Sequence, residues 1–375
     1  MTERTGVQGG GRPANAEELE TFIEKMVEQE KVPGLSVTVV KGDRVVWKLG
    51  FGFADLSASR RATASTIYLW FSMTKIVTAT AVLQLCENGH LDLDAPVDEY
   101  FRGFKIVSQP VPVTVRHLLS HSSGLANPVP IRWVRAARSP APDGRAFVDR
   151  LLSKHRKLEF TTGERAGYSN IGYLVLGVLI SEVSGMGYEE YVHDEVLAPL
   201  GVNRTGFTYP DAGGQEMATA YQSLPKVLTP LFRAAMPRGV VGPRYGGYVT
   251  FNPFYVNGPA YGGLVGSTEE AARILLLHLN EGQVDGTRLL SPGAVGMMQQ
   301  IVPRGGKRDF GLGWLRPREA SKRGLTFVEH LGGGAGFWNV MRLYPEESLG
   351  VVIMGNTTSY DHESLLEAIA AVDWT

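Results

Sequence analysis

The stretch Ser72-Met73-Thr74-Lys75 opens a strongly apolar run that continues to Asn88 and has the composition of a buried helix. Because residues three apart share one face of a helix, the side chains of Ser72 and Lys75 are expected to point at the same space. A serine hydroxyl is a weak nucleophile until a neighbouring group takes its proton, and a lysine one turn away can do this without a histidine. The four-residue pattern arises often by chance, so its meaning depends on two later motifs.

The second motif is Tyr168-Ser169-Asn170. In an extended segment Tyr168 and Asn170 face the same side, where Asn170 can orient Lys75 or donate to a substrate carbonyl. A tyrosine in a serine-lysine site can act as general base in its phenolate form and then as general acid toward the leaving group. Unperturbed tyrosine and lysine have pKa values of about 10 and 10.4, so at least one pKa must be lowered at neutral pH. A Lys75 cation favours the Tyr168 phenolate, whereas burial favours neutral Lys75, and the sequence leaves both open.

The third motif, His330-Leu331-Gly332-Gly333-Gly334, ends a predicted strand. Backbone without Cβ atoms can approach a ligand closely. An N–H of this segment, together with that of Ser72, can form an oxyanion hole, and losing one such donor typically lowers the rate roughly 10²–10³-fold. For residues 334–336 a hairpin turn is the simpler interpretation. A nucleotide-binding loop is disfavoured, because no Lys-Ser/Thr pair follows and no parallel βαβ unit surrounds the glycines.

Composition and charge are those of a globular protein without a broad charged face. The chain has 375 residues, 43% hydrophobic and 20% charged, which predicts two lobes. A formal net charge of −1 argues against nucleic acid as a partner, although it is compatible with local patches. The single cysteine, Cys86, excludes an intrachain disulfide and is expected to be a buried thiol. Residues 1–15 lack the apolar core of a signal peptide and no run reaches membrane-span length, so we expect a cytoplasmic protein with no membrane partner.

Hydrophobic periodicity predicts an α/β protein. After a helix that Asn15 can cap, a hairpin is expected in which Leu35, Val37 and Val39 alternate with polar residues, and a second buried helix is expected over 171–183. Residues 209–257 are rich in Gly, Pro and aromatic residues and predict a long, partly irregular loop region. The later predicted elements are a helix over 268–281, strands over 326–330, 338–344 and 349–354, and a helix over 361–372.

These elements predict a discontinuous architecture. Residues 1–14 are expected to be disordered. Residues 15–66 and 258–375 are expected to form an α/β lobe in which an antiparallel sheet is flanked by helices. Residues 67–257 are expected to form an inserted, mostly α-helical lobe that carries substrate loops, with the active site between the two lobes.

Two other site types are disfavoured. His117 and His121 are four apart and can face one way on a helix, but the glutamate of a His-Glu-x-x-His zinc site is missing. No Gly-x-Ser-x-Gly elbow occurs, which argues against an α/β-hydrolase fold with a Ser-His-Asp triad. We therefore expect neither a metal nor an organic cofactor.

Several segments taken together carry a family resemblance: VPGLSVTVV (32–40), FSMTK (71–75), VTVRHLLSHSSGL (113–125), YSN (168–170), GGLVGSTEEAARIL (262–275), FGLGW (310–314) and HLGGGAGF (330–337). In order and spacing they resemble the serine β-lactamase-related superfamily in its class C-like branch. That branch includes penicillin-binding peptidases, D-aminopeptidases, family VIII carboxylesterases and some acyltransferases. The resemblance covers roughly residues 16–372 and implies a β-lactamase-like fold.

The resemblance implies roles for four residues of the first two motifs. Ser72 is similar to the acylated nucleophile of the family and Lys75 to its proton partner. Tyr168 is similar to the general base and acid, and Asn170 to the companion of the tyrosine, placed at the substrate.

The third motif matches the family with one departure. His330 stands where many relatives carry the lysine of a Lys-Thr-Gly triad, and the match makes His330 and Gly332 substrate-binding residues and Gly333 the second oxyanion-hole donor, with Ser72 the first. In penicillin-recognising relatives that lysine helps to hold the substrate carboxylate. Histidine, with an unperturbed pKa of about 6.5, offers at most a partial cation at neutral pH. The variant therefore weakens the expectation of efficient antibiotic hydrolysis.

The function implied is a serine hydrolase that works through a covalent acyl-enzyme. The favoured substrate is a small carboxylic ester with a short to medium acyl chain, because aromatic residues between 221 and 261 can form an apolar wall. The alternatives are a D-amino-acid peptidase or amidase with weak β-lactamase activity, an acyltransferase that uses the same nucleophile, and a non-catalytic penicillin-binding-type sensor. The sequence leaves the oligomeric state open.

Overall fold

The computed structural model of the chain describes residues 13–107, 110–210, 216–302, 308–317 and 324–374. The expectation of disorder over residues 1–14 falls almost entirely outside these ranges. The helices within them are α1 (Ala16–Gln29), α2 (Thr74–Glu87), α3 (Val97–Tyr100), α4 (Val115–Leu119), α5 (Gly144–Lys154), α6 (Asn170–Ser184), α7 (Tyr188–Tyr191), α8 (Thr229–Ala235), α9 (Thr268–Leu279), α10 (Pro292–Gln299) and α11 (His362–Ile369). Short 3₁₀-helices cover Phe71–Met73, Ala198–Leu200, Lys226–Leu228 and Pro259–Tyr261, and a π-helix covers Val192–Leu197.

The described strands begin with the predicted hairpin and end with the predicted C-terminal strands. They are β1 (Gly34–Lys41), β2 (Arg44–Asp55), β3 (Arg60–Arg61), β4 (Tyr68–Leu69), β5 (Val134–Ala136), β6 (Ala220–Ser223), β7 (Val241–Tyr245), β8 (Tyr248–Phe251), β9 (Phe254–Val256), β10 (Val265–Gly266), β11 (Gln283–Val284), β12 (Thr287–Arg288), β13 (Arg308–Phe310), β14 (Leu315–Pro317), β15 (Val328–Gly334), β16 (Phe337–Tyr344) and β17 (Leu349–Gly355).

The main sheet has eight antiparallel strands in the order β13-β14-β15-β16-β17-β1-β2-β3. The N-terminal hairpin therefore joins the C-terminal strands through the β1–β17 pair, where Leu35 lies opposite Gly355. This confirms the predicted fold class, an antiparallel sheet flanked by helices with a helical insertion in the chain. The division into lobes at 15–66 with 258–375 and at 67–257 remains our proposal.

Helices cover both faces of this sheet. In β17, Val351 and Ile353 pack in one hydrophobic cluster with residues of α1 and α11, whereas Val352 and Met354 pack on the other face in the cluster that contains α9 and α2. The alternation follows from the two-residue period of a strand. A sheet covered on both faces holds its strands rigidly, and β15 belongs to that sheet.

Strand β1 shows the predicted alternation of apolar and polar residues, but residues 34–40 are all buried. Its polar side chains are paired inside the protein: the Ser36 hydroxyl lies 2.8 Å from the Tyr68 hydroxyl, and Thr38 donates to the Thr268 hydroxyl at 2.9 Å. A central strand between two helical layers has no solvent face, so hydrogen bonding replaces exposure for these hydroxyls.

The segment 209–257 is more regular than predicted. Strands β6, β8 and β7 form a three-stranded antiparallel sheet within it, and α8 precedes that sheet's last hairpin. The predicted strand over 326–330 extends through Gly334, so the expected glycine turn narrows to residues 335–336. The predicted last helix ends at Ile369 rather than at residue 372.

The described helices differ from membrane spans in length and hydropathy. In the described ranges no single helix meets the length and apolarity of a span, and only Asn170–Ser184 with Tyr188–Leu200, a pair bent by 82°, passes together.

A buried ion pair joins β15 to β16. Arg342 lies directly opposite Glu329, and both side chains are fully buried. The Arg342 guanidinium donates to the Glu329 carboxylate through Nε at 2.9 Å and through Nη2 at 2.5 Å, and Nη2 also lies 2.8 Å from Glu363. Removing one partner of such a pair leaves a buried charge without compensation.

We therefore expect Arg342→Met to lower the free energy of unfolding by about 3–5 kcal/mol, measured by urea denaturation. The control is Arg116→Met, which breaks the exposed Arg116–Asp94 pair and should change stability by at most about 1 kcal/mol. The double variant Arg342→Met, Glu329→Met should recover most of the loss. Equal effects of the two single variants would contradict this account.

Candidate active site

The nucleophile candidate follows a strained turn. Phe71, the residue before Ser72, has φ of 49°, a conformation that bulky residues rarely adopt. Two glycines leave the room that this turn needs: a Cβ on Gly334 would lie 2.3 Å from the Phe71 ring, and one on Gly262 would lie 3.3 Å from the Phe71 carbonyl carbon. Strain of this kind persists only where the surrounding packing enforces it, and it is typical of functional sites.

Strand β15 passes directly beside this turn. A Cβ on Gly332 would lie 2.0 Å from the Trp70 carbonyl oxygen, so only glycine permits the approach. The described pairing of β15 with β14 ends at Leu315 and Glu329, and the later residues of β15 lie against the turn instead. The third motif is thereby placed next to Ser72, as predicted from its glycines.

Lys75 is fully buried one helical turn from Ser72. Its Nζ lies 3.1 Å from Ser72 Oγ, 2.9 Å from Asn170 Oδ1 and 2.6 Å from the Tyr261 carbonyl oxygen. All three contacts are with uncharged oxygens. Burial therefore lowers the pKa of Lys75 well below its usual value of 10.5. Of the two protonation schemes that the sequence leaves open, the environment favours neutral Lys75.

The Tyr168 hydroxyl donates to Ser72 Oγ at 2.7 Å. Burial raises the pKa of Tyr168, and the hydrogen bond with Ser72 and the charge of Arg308 offset only part of that rise. A resting phenolate is therefore disfavoured. Ser72 Oγ lies between a neutral amine on one side and a protonated phenol on the other.

Asn170 reaches the site from the start of α6 and not from an extended segment. Ser169 is the N-cap of this helix, and its hydroxyl accepts from the Gly172 N–H. The Asn170 backbone N–H donates to Asn127 Oδ1 at 3.1 Å, and the Asn170 side-chain oxygen accepts from Lys75. The correction has a local cause: a serine before an apolar run is a strong helix N-cap signal.

His121 is a candidate functional residue to which the sequence motifs assigned no role. It brackets Tyr168, because its carbonyl accepts from the Gly167 N–H at 2.8 Å and its ring Nδ1 accepts from the Ser169 N–H at 3.1 Å. Its ring also packs on the Tyr168 ring with centroids 4.4 Å apart. Burial lowers the pKa of His121 well below 6.5, so its Nδ1 remains a hydrogen-bond acceptor through the neutral range. Its nearness to Tyr168 was not visible in the sequence, because 46 residues separate them.

His330 lies inside β15 and is buried. Burial lowers the pKa of His330 to about 3. Its Nδ1 lies 2.9 Å from the Leu331 carbonyl oxygen, so the neutral ring carries its proton there. A neutral His330 agrees with the expectation of at most a partial cation, and its cause is that the side chain is shielded from water.

Gly333 and His117 are the remaining residues that the sequence analysis considered. Gly333 follows Gly332 in β15, and a Cβ on it would lie 2.6 Å from the Trp338 ring. His117 belongs to the N-terminal capping box of α4 with Thr114, a structural use of its ring. The structure thus brings Ser72, Lys75, Tyr168 and Asn170 into direct hydrogen bonding, with His330 beside the Tyr168 ring at 6.3 Å between centroids.

An aromatic wall flanks the nucleophile turn. The Phe71 ring packs on those of Phe254 and Phe337, with centroids 6.3 and 6.4 Å apart. Phe254 and Phe337 also line a cavity of about 120 Å³. Phe254 is one of the aromatic residues between 221 and 261 that the sequence predicted for a substrate wall.

A family comparison matches nearly the whole chain. The Beta-lactamase family model covers residues 19–373. The chain therefore belongs to the beta-lactamase family of serine hydrolases, which confirms the resemblance drawn from the motifs.

Relatives by sequence are distant and longer. Protein flp of Staphylococcus aureus strain MW2 is 24% identical over 368 residues, covering 94% of this chain and 65% of the relative. Penicillin-binding protein 4* of Bacillus subtilis strain 168 is 29% identical over 187 residues, 50% of this chain and 40% of the relative. The chain thus spans less than two thirds of the length of these relatives.

Solved structures share the fold over almost all of the chain. The octameric penicillin-binding protein homologue from Pyrococcus abyssi has a TM-score of 0.74 at 28% identity and covers 95% of this chain and 76% of its own. EstCE1, a hydrolase with promiscuous acyltransferase activity, has a TM-score of 0.73 at 20% identity, with 95% and 97% covered. The D-amino acid amidase from Ochrobactrum anthropi SV3 has 0.74 at 20% identity, with 94% and 97% covered.

The bracketing of Tyr168 by His121 predicts a difference between two substitutions. His121→Asn keeps an acceptor near the place of Nδ1 and tolerates the positive φ of 54°, whereas His121→Leu keeps neither. We expect His121→Leu to lower kcat for p-nitrophenyl butyrate roughly 10–100-fold with little change in KM, and His121→Asn to recover most of it. Thermal melting of both variants serves as the control. Equal losses in the two would mean that His121 acts by ring packing alone.

Proposed function

We propose that this chain is a carboxylesterase that hydrolyses esters of short to medium acyl chains through an acyl-enzyme on Ser72. The observation that carries the nucleophile is the Ser72 hydroxyl held 3.1 Å from Lys75 Nζ and 2.7 Å from the Tyr168 hydroxyl. A hydroxyl between a proton acceptor and a proton donor is equipped for nucleophilic attack and for the proton transfers that follow it.

Acylation begins with neutral Lys75. Its two N–H bonds can serve Asn170 Oδ1 and the Tyr261 carbonyl, which leaves its lone pair directed at the Ser72 proton. As Ser72 Oγ bonds to the ester carbonyl carbon, its proton passes to Lys75. The Tyr168 hydroxyl then protonates the departing alkoxide, which leaves as the alcohol. The acyl-enzyme that remains has a Lys75 ammonium and a Tyr168 phenolate.

Deacylation reverses these transfers. The Tyr168 phenolate takes a proton from water, the resulting hydroxide attacks the acyl carbonyl, and the Lys75 ammonium returns a proton to Ser72 Oγ as the carboxylic acid departs. This assignment makes Lys75 the base of the first step and Tyr168 the base of the second. The backbone N–H groups of Ser72 and Gly333 are proposed to bind the oxyanion in both tetrahedral intermediates.

The preference for esters rests on His330 and the aromatic wall. A buried, neutral His330 supplies no charge for a substrate carboxylate at the position where relatives carry lysine. The rings of Phe254 and Phe337 pack on Phe71, the residue before Ser72, and line a small cavity that we propose receives a short alkyl or aryl acyl group.

A D-aminoacyl amidase or peptidase is the second candidate, and Arg308 favours it. Arg308 shares one face of β13 with Phe310, whose ring packs on His121 and Tyr168 with centroids 4.9 and 6.3 Å apart. Its charge acts on both Tyr168 and His330. An exposed cation at this rim can receive a carboxylate that His330 cannot.

The nucleophile is tested by intact-protein mass spectrometry after brief exposure to p-nitrophenyl butyrate, D-alanine p-nitroanilide and nitrocefin. We expect an acyl adduct that maps to Ser72, with turnover fastest on the ester, and neither adduct nor turnover in Ser72→Ala. Faster turnover of the anilide would replace the esterase by the amidase. Transfer to an added alcohol in place of hydrolysis would identify an acyltransferase. If no compound gave either an adduct or turnover, the esterase would be refuted, and the acyltransferase and the sensor would remain.

The proton assignment predicts the pH dependence of acylation. Because burial lowers the pKa of Lys75, the amine is neutral above that lowered pKa, and acylation should fall as pH drops through it. Tyr168→Phe should lower turnover by about 10²–10⁴ yet keep this acid limb, since Lys75 still accepts the Ser72 proton. Lys75→Arg should abolish rapid acylation, because a guanidinium stays charged. Stopped-flow release of p-nitrophenol measures both, and a limb that disappears in Tyr168→Phe would make Tyr168 the first base.

A further inference from the structure

One segment of the chain differs sharply from the whole in charge. Residues 217–268 contain no Asp or Glu, and they carry four cations, Lys226, Arg233, Arg238 and Arg244, in a chain with a formal net charge of −1. All four lie in the described residues 216–302. Arg233 donates to the Gly242 carbonyl, and Arg244 donates to the Thr229 hydroxyl and to the Leu224 and Gly247 carbonyls. These partners are neutral, so they do not cancel the positive charge.

The same segment exposes apolar side chains. Val227 is 82%, Leu231 70% and Leu228 44% exposed, on the turn that runs from the 3₁₀-helix Lys226–Leu228 into α8. Tyr245, which is 43% exposed, lies in the neighbouring hairpin that Arg244 ties to the start of α8. Side chains exposed to this degree protrude from the surface. We call Lys226, Val227, Leu228, Leu231, Arg238 and Tyr245 the basic apolar patch.

The composition of this patch matches one kind of partner. Protruding aliphatic and tyrosine side chains with flanking Lys and Arg are typical of segments that enter the interface of a bilayer with anionic lipids. A second copy of the chain fits less well, because a symmetric contact would set these cations against one another. We propose that the basic apolar patch docks the protein reversibly on an anionic lipid surface, with Val227 and Leu231 inserted among the acyl chains.

The expectation of no membrane partner came from the lack of a signal-peptide core and of a run long enough to span a membrane. Neither criterion can detect a local surface patch that combines exposed apolar residues with cations. A series of ring contacts connects α8, the helix that carries Leu231, to the site. Ring packing runs from Phe232 in α8 to Phe251, from Phe251 to Phe254, and from Phe254 to Phe71, the residue before Ser72, with centroids 5.9, 5.9 and 6.3 Å apart. Docking would therefore place the aromatic wall near a lipid phase, although the docking itself does not depend on the proposed esterase activity.

Vesicle co-sedimentation of the full chain tests the proposal. We expect binding to vesicles of phosphatidylcholine with phosphatidylglycerol, little binding to phosphatidylcholine alone, and weakening as salt is added. The double variant Val227→Asp, Leu231→Asp should lower the partition coefficient at least about 10-fold, and Lys226→Gln, Arg238→Gln should lower it as well. The matched control is Val129→Asp, which places the same charge at a 76% exposed valine outside the segment and should leave binding unchanged. Circular dichroism and thermal melting check that every variant is folded.

Several outcomes would overturn the proposal. Equal binding to neutral and anionic vesicles would remove the role of the cations. Unchanged binding of the Val227→Asp, Leu231→Asp variant would place the lipid contact elsewhere. Absence of vesicle binding, with self-association that the same variant abolishes in sedimentation velocity, would make the patch an interface between copies. Absence of vesicle binding, with retention on immobilised polyglutamate, would identify an acidic protein as the partner.

Discussion

The site depends on the burial of one amine among uncharged oxygens. Lys75 Nζ contacts Ser72, Asn170 and the Tyr261 carbonyl, and each of these groups belongs to a different part of the chain. A carboxylate in place of Asn170 would hold Lys75 as an ammonium and remove the acceptor that the nucleophile needs. The amide instead satisfies the amine without fixing its charge. The choice of a neutral partner thus decides the proton chemistry of the whole site.

Glycine at contact points gives this arrangement its geometry. Gly332 and Gly334 let β15 approach the turn at residues 70–72, and the same approach holds Phe71 in its left-handed conformation. The turn keeps its strained conformation because β15 belongs to the main sheet, which is packed on both faces and does not yield. The sheet therefore acts as the rigid reference against which Ser72 is positioned, although most of the described site residues come from the helical insertion.

Much of this was predictable from local pattern. The hairpin, the apolar helices, the C-terminal strands and the placement of Ser72 and Lys75 on one face all follow from periodicity and spacing, and the structure shows them. What local pattern missed depends on distant packing. The burial of Ser36 and Thr38 requires helices on both sides of β1, and the role of His121 requires a loop 46 residues away. The small sheet within 209–257 consists of strands of four or five residues, whose pairing their composition does not reveal. The same holds for charge state, since the low pKa of His330 arises from burial that no motif records.

Neutrality at rest has a consequence for the reaction coordinate. With Lys75 and Tyr168 both uncharged, the site holds no separated charges in its dry interior before the substrate binds, which avoids the cost of burying them. In the proposed acylation the Lys75 ammonium forms first and the Tyr168 phenolate second, and the Lys75 amine already lies 5.0 Å from the centre of the Tyr168 ring. The phenolate is therefore stabilised by the ammonium at the moment it forms, in a medium where such an interaction is stronger than in water. A permanent cation at His330 would disturb that balance, because it would stabilise the Tyr168 phenolate before the substrate arrives and weaken Tyr168 as a proton donor. Histidine in place of lysine at position 330 is therefore expected to affect the proton transfers of the site as well as its choice of substrate.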